Sequence, residues 1–202
     1  MFPIWEQECS DTRRPNNRRR RNALTNLWID PAKPGRLAIM ARPRSGDWLE
    51  EEISGWAEER IDVVVSLLER EEIADLGLRE EEALCRGRGM EFVSFPIPDR
   101  NVPASSREML ALAGAMATRI DEGKAVAVHC QAGIGRASLV AACILVRLRF
   151  DPLLALDAIG KARGVVVPDT DAQREWIVAF GEVIRSACPQ PSRPSPSSPD
   201  SA

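Results

Sequence analysis

Ala125-Val126-Ala127-Val128-His129-Cys130-Gln131-Ala132-Gly133-Ile134-Gly135-Arg136-Ala137-Ser138-Leu139-Val140 is the stretch that decides how this chain reads. Residues 125–128 have the short apolar run of a buried strand, the residues after Arg136 have the pattern of an apolar helix, and a loop with two glycines joins them. A strand, a glycine loop and a helix in that order make a cradle for an anion. Loop amides converge on the concave side and the helix N-terminus adds positive potential. Glycines at 133 and 135 allow turns and close approach that a Cβ would block. Phosphate is the natural guest. At the start of the loop the same dipoles, with Arg136, favour the ionised sulfur of Cys130 and make it a nucleophile. The plainer reading, a small buried core residue, fits poorly where a strand ends at a glycine loop. Arg136 can fork two guanidinium bonds to phosphoryl oxygens and hold them as charge moves.

Outward from this stretch, apolar runs at 37–40, 61–65 and 92–95 also read as short buried strands. Asp47-x-x-Glu50 and Ser105-x-x-Glu108 have capping-box spacing, and the second opens a helix with Met109, Leu112, Met116 and Ile120 on one face, ended by Gly123. Asp151-Pro152 opens another helix that stops near Gly164, and Thr170-x-x-Gln173 opens the last, carrying Trp176, Ile177, Phe180 and Ile184. Strands alternating with helices predict an α/β fold with a largely parallel central sheet of about four to five strands flanked by helices. In such sheets the site lies beyond the C-terminal ends of the strands.

The chain has 202 residues, 44% hydrophobic and 28% charged, with a net charge of -3, which suits one soluble globular domain with tails. Residues 1–21 hold six arginines against three acids, so this leader carries +3 and the remainder -6. It is read as a solvated, disordered leader in preference to a nucleic-acid or membrane arm, and no aromatic residue lies among the arginines to stack bases. Ten of the sixteen residues 187–202 are Pro or Ser, the composition of a disordered tail. The folded domain is therefore expected over 22–186. One histidine and no tyrosine are present, and a single imidazole excludes His-rich zinc sites and di-histidine metal centres. Cys9, Cys85, Cys130, Cys143 and Cys188 are odd in number with no CxxC pair, which suggests neither a disulfide framework nor structural zinc. No metal and no cofactor are expected. The longest apolar stretch, 137–146, is about half of the roughly 20 residues a membrane span needs, and a cytoplasmic location is expected.

His129-Cys130-x5-Arg136, with both glycines, a strand before and a helix after, resembles the HCx5R signature of the protein tyrosine and dual-specificity phosphatase superfamily. Over roughly residues 36–185 the arrangement is most similar to compact bacterial-type dual-specificity phosphatases. The resemblance implies a metal-independent reaction through a phosphocysteine, with Cys130 as nucleophile and residues Gln131, Ala132, Gly133, Ile134, Gly135 and Arg136 holding the phosphate. Asp99 lies on the proline-stiffened loop Phe95-Pro96-Ile97-Pro98-Asp99-Arg100-Asn101-Val102-Pro103, 31 residues before the cysteine, and resembles the family's general acid, which implies that it protonates the leaving ester oxygen and then acts as base on the water that hydrolyses the thiophosphate. Taken alone it would be a turn-forming Asp after proline. Gln173 resembles the glutamine that positions the attacking water, although it is also placed to complete a capping box with Thr170. His129 is read as fixing the loop through hydrogen bonds rather than transferring protons.

One departure concerns Ala137, where the family usually has Ser or Thr to stabilise the departing thiolate. Ser138 follows it, but one helical step turns a side chain by about 100°. Glu71 and Glu72 are candidates to orient Arg136. Arg42, Arg44 and Arg100 are read as solvated loop arginines in preference to substrate contacts, and Cys85 and Cys143 as buried bystanders in preference to redox partners of Cys130. The expected substrate is a phosphorylated protein, with phosphotyrosine foremost and phosphoserine or phosphothreonine next to it. A non-protein phosphomonoester and a phospho-binding pseudophosphatase are the alternatives. Neutral Gln131, Ala132 and Ile134 disfavour polyphosphorylated lipids, and the lack of tyrosine disfavours a deep tyrosine-walled pocket.

Overall fold

The computed structural model describes residues 26–29 and 33–187, so the leader and the Pro/Ser-rich tail, with Cys9 and Cys188, lie outside the described residues. Five strands form one sheet: β1 (Asn26–Ile29), β2 (Arg36–Ala41), β3 (Val63–Ser66), β4 (Glu91–Ser94) and β5 (Ala125–Cys130), in the order β1-β2-β5-β3-β4. β2, β5, β3 and β4 run parallel, and β1 closes one edge antiparallel to β2. The parallel α/β expectation is met. β1, the edge strand Asn26-Leu27-Trp28-Ile29, is the element the sequence pattern did not show.

Strand parity divides the core. On β5, Val126, Val128 and Cys130 pack into a cluster with Met109, Met116, Ile120 and most of the 137–148 stretch. Ala127 packs into a second cluster with Leu49, Ile53, Trp56, Leu78 and Cys85. Both sheet faces are covered, and this is why the parallel strands read as continuous apolar runs rather than alternating ones. Helices α4 (Ser106–Asp121), α5 (Arg136–Arg147), α6 (Pro152–Arg163) and α7 (Asp171–Ala187) contribute to the first layer, and α1 (Leu49–Glu58) and α3 (Glu81–Gly87) to the second. A six-residue helix, α2 (Arg70–Asp75), follows β3. Neither α2 nor α3 is long enough to show an apolar stripe in the sequence.

Several helix signals are realised. Ser105 Oγ accepts the Glu108 amide at 3.2 Å, Asp151 Oδ1 accepts the Leu153 and Leu154 amides at 2.8 and 3.3 Å, and Gly164 ends α6 in the left-handed conformation (φ 70°). The box expected from Asp47 does not form. Gly46 (φ 64°) turns the chain into a short 3-10 turn, Gly46–Trp48, so Asp47 lies within that turn and α1 begins at Leu49 without a side-chain cap.

Candidate active site

The four parallel strands end on the same side, and their following loops meet around residues 130–136. Cys130 closes β5, paired in register with Ala41 of β2, and its Sγ accepts the Gly133 amide at 3.3 Å. This bond requires a tight return of the loop. Gly133 makes the return at φ 68°, and a Cβ there would lie 2.5 Å from the Met40 carbonyl oxygen, so glycine is demanded both by conformation and by space. Gln131 and Ala132 are exposed at the loop's crest, Ile134 is half-buried, and Gly135 is buried. The Gln131 carbonyl is tied to the Arg42 amide at 3.3 Å.

Arg136 opens α5 and is 1% exposed. Its Nη1 donates to Glu72 Oε2 at 2.7 Å and to the Ile97 carbonyl at 2.9 Å, and its Nη2 donates to Glu72 Oε1 at 2.8 Å. Of the two acids proposed to orient it, Glu72 does so, and Glu71 is exposed. Asp99 Oδ1 stands 2.9 Å from Nη2, while Nε is buried without a partner. The Nε/Nη2 edge is the fork left for two phosphoryl oxygens. Burial alone would pull the guanidinium down, but the Glu72 hydrogen bonds, then Cys130 and the Glu72 and Asp99 charges, outweigh it and hold Arg136 above its usual range. Burial pushes the Glu72 carboxyl up, and Arg136 and the Glu69 amide outweigh that, holding it below 4.5.

His129 points to the other sheet face. Its Nε2 is 3.0 Å from Glu81 Oε1, with side-chain exposures of 0% and 2%, and its ring lies 6.2 Å from that of Trp56. Glu81 was not visible as a site neighbour in the sequence, because an acid in the first turn of a helix is ordinary. Gln173 is fully buried and does not complete the capping box. Its amide nitrogen donates to the Asn101 carbonyl at 2.9 Å, on the loop that carries Asp99, while its own backbone N–H donates to Thr170 Oγ1 at 3.2 Å. Ser138 Oγ, next to Ala137, is buried and makes no hydrogen bond.

The arginines near the mouth divide. Arg44 is paired with Glu52 and stacked on Trp48, and Arg42 Nη1 donates to the Pro43 carbonyl at 2.9 Å. Arg100 is exposed in a left-handed conformation (φ 59°). Arg163, outside the sequence-derived candidates, donates from Nη2 to the Ala132 carbonyl at 3.1 Å. Burial, then Glu81, pushes the Cys85 thiol up to about 12 despite Arg88, and burial alone raises Cys143. Neither is an activated thiol.

Residues 38–149 match the family model Tc-R-P, described as polymorphic toxin system, DSP-PTPase phosphatase. The chain belongs to the Tc-R-P phosphatase family. The Tc-R-P match contains Glu72, Asp99 and the whole 130–136 loop, and stops short of Gln173. Cyclin-dependent kinase inhibitor 3 of Rattus norvegicus is 33% identical over 93 residues, 44% of this chain, and the match spans only 42% of that relative's length. Among solved structures, Tk-PTP in a glycine-to-alanine mutant form superposes with a TM-score of 0.66 at 30% identity, covering 80% of this chain and 97% of the other. A kinase associated phosphatase with its catalytic site cysteine substituted by serine gives a TM-score of 0.72 at 19% identity, covering 80% and 96%. PTPMT1 gives 0.65 at 20% identity, covering 79% and 97%. The last two show that the Tc-R-P chain has the dual-specificity phosphatase fold. Among the described residues no helix is long and apolar enough to cross a membrane, and no three His, Cys, Asp or Glu side chains are grouped to hold a metal ion.

Proposed function

We propose that this Tc-R-P chain is a protein phosphatase that hydrolyses phosphotyrosine, and phosphoserine or phosphothreonine where they reach the loop, through a phosphocysteine on Cys130. The observation that carries the reading is the convergence of three groups on one loop: Cys130 Sγ under the Gly133 amide, the Nε/Nη2 edge of Arg136, and Asp99 2.9 Å from that edge. Cys130 attacks phosphorus, the loop amides and Arg136 hold the three equatorial oxygens, and Asp99 gives its proton to the leaving ester oxygen. Water then frees phosphate from sulfur. His129 and Glu81 act from beneath the sheet by holding the start of the loop.

A phosphorylated protein is the favoured substrate because Gln131, Ala132 and Ile134 add no cation to the cradle for a polyphosphorylated lipid or nucleotide. The phosphate-loop chemistry needs no metal. Hydrolysis of an aryl phosphate and of a phosphotyrosine peptide tests the reading. Turnover is expected in the parent, unchanged by chelator, and lost in Cys130→Ser. Tight phosphopeptide binding without turnover would instead establish a binding module, for which Ala137 is the supporting residue.

A further inference from the structure

We propose that Gln173 is the positioning residue of the general acid: its side-chain amide holds the turn that carries Asp99 in place beside the phosphate loop. The inference rests on the phosphocysteine reading above and concerns the first half of that reaction. Asp99 sits in a four-residue turn closed by the Asn101 amide, which donates to the Pro98 carbonyl at 3.0 Å. The third residue of the turn, Arg100, is left-handed at φ 59°, a conformation that favours glycine and strains a larger residue. Such a turn needs support from outside itself. Two ties supply it, one on each side of the acid. Before it, the Ile97 carbonyl accepts Arg136 Nη1 at 2.9 Å, and after it, the Asn101 carbonyl accepts Gln173 Nε2 at 2.9 Å.

Gln173 is 0% exposed, whereas the Asp99 side chain is 60% exposed. The buried amide is the anchor, and the exposed acid is what it aims. Gln173 also lies against the phosphate loop. A Cβ on Gly135 would stand 3.1 Å from Gln173 Oε1 and 2.7 Å from Asp169 Oδ2. One buried side chain therefore spans the two loops that must meet over the substrate, with its oxygen at Gly135 and its nitrogen on the acid turn. A side chain at 135 would push Gln173 aside, and the turn with it. With the backbone tied at Ile97 and Asn101, the Asp99 carboxyl leaves Arg136 Nη2 by rotation about its own side-chain bonds while the turn stays where it is.

The tie matters to one proton. The Cys130 sulfur bonds to phosphorus as the ester oxygen–phosphorus bond breaks, the electron pair of that bond stays on the oxygen, and the Asp99 proton joins it, so the alcohol departs neutral. A leaving group of high basicity needs that proton, and a weakly basic one departs without it. Misplacing a reacting group by about 1 Å can cost about 10²-fold in rate. Loss of the Gln173 tie is therefore felt by esters of basic alcohols far more than by activated ones.

The test compares kcat/KM on phenyl phosphate, whose leaving group needs the proton, with kcat/KM on dinitrophenyl phosphate, whose leaving group does not. The proteins are the full chain, Gln173→Met, Asp99→Asn and the double variant. Methionine matches glutamine in length without its donor, and Gln173→Asn, which draws the amide back by one methylene, is the second variant should methionine fail to fold. Gln173→Met is expected to lower kcat/KM by about 30-fold on phenyl phosphate and by less than about 3-fold on the dinitrophenyl ester. Gln173→Asn shows the same contrast. In the Asp99→Asn background Gln173→Met adds nothing to it, because the acid that it aims is gone. Equal losses on the two esters, a contrast that persists without Asp99, or a loss confined to kcat while phosphocysteine accumulates overturn this role of Gln173. A folded parent that turns over neither ester overturns the phosphatase reading, and this inference with it. An Asp99→Asn variant with equal losses on the two esters overturns Asp99 as the acid.

Discussion

Asp99 occupies the Nη2 position of Arg136, at 2.9 Å, on the edge that a bound phosphoryl group would need. Acid and substrate therefore compete for one nitrogen, and binding of a phosphate must displace the carboxylate toward solvent, where its side chain is already 60% exposed. In the proposed reaction this displacement frees Asp99 to give its proton to the leaving group.

Asp99→Ala removes this competitor together with the proton donor. It is expected to bind inorganic phosphate and vanadate several-fold more tightly, on the order of 1 kcal/mol for an exposed pair, while kcat falls about 10²-fold or more. Inhibition constants and steady-state rates on one aryl phosphate check both effects, and unchanged oxyanion affinity would show that Asp99 does not hold the seat.

Glu72→Gln leaves Arg136 buried with one neutral partner in place of a two-point charge pair. A loss of about 3 kcal/mol in denaturant unfolding is expected, with weaker phosphate inhibition in the folded protein. The shift also gives a sign with pH. Because the folded Glu72 carboxyl is held below 4.5, the pair adds stability above that value and loses it as pH falls through the lower folded value. The parent should therefore lose more stability than Glu72→Gln between about pH 5 and pH 3, as thermal melts across that window would record.

Gly133→Ala places a Cβ 2.5 Å from the Met40 carbonyl oxygen at a φ of 68°. Backbone faces backbone there, and no side chain can swing aside. The loop must shift, breaking the amide bond to Cys130, so kcat/KM should fall by about 10²-fold or more and stability by about 2 kcal/mol. Alkylation of Cys130 by iodoacetamide, compared with the parent, reports the loop directly.

Glu81→Leu removes the acid beside His129 Nε2 and leaves the imidazole alone in an apolar layer. A loss of about 2–4 kcal/mol is expected by denaturant unfolding, and the double variant Glu81→Leu/His129→Leu should be more stable than Glu81→Leu alone, because it leaves no buried polar group unmet. An additive double variant would mean that the two residues do not sense each other.

Much of this arrangement is legible in the chain. The β5–loop–α5 unit is continuous in sequence, so strand run, glycines and apolar helix announce it together, and Ser105, Asp151 and Gly164 mark helix ends through local bonds. Residues that act across the fold are harder to read. Glu72 could be narrowed only to a pair, since both acids follow the same strand. Glu81 reaches His129 by the packing of α3 on the sheet, and Asp169 reaches Gly135 by the path of the loop between α6 and α7. Gln173 is placed in the sequence to close a local capping box, and its side chain instead reaches the distant carbonyl of Asn101.

The alternation of β5 has a consequence for how damage to this molecule would look. His129 and Cys130 are joined by one peptide bond, yet they belong to opposite sides of the sheet, the first beneath Trp56 and Glu81 and the second facing α5. Cys130 thus has a keel. Changes in α1 or α3 reach the sulfur through a single link of main chain, so activity is expected to fail there well before the sheet does.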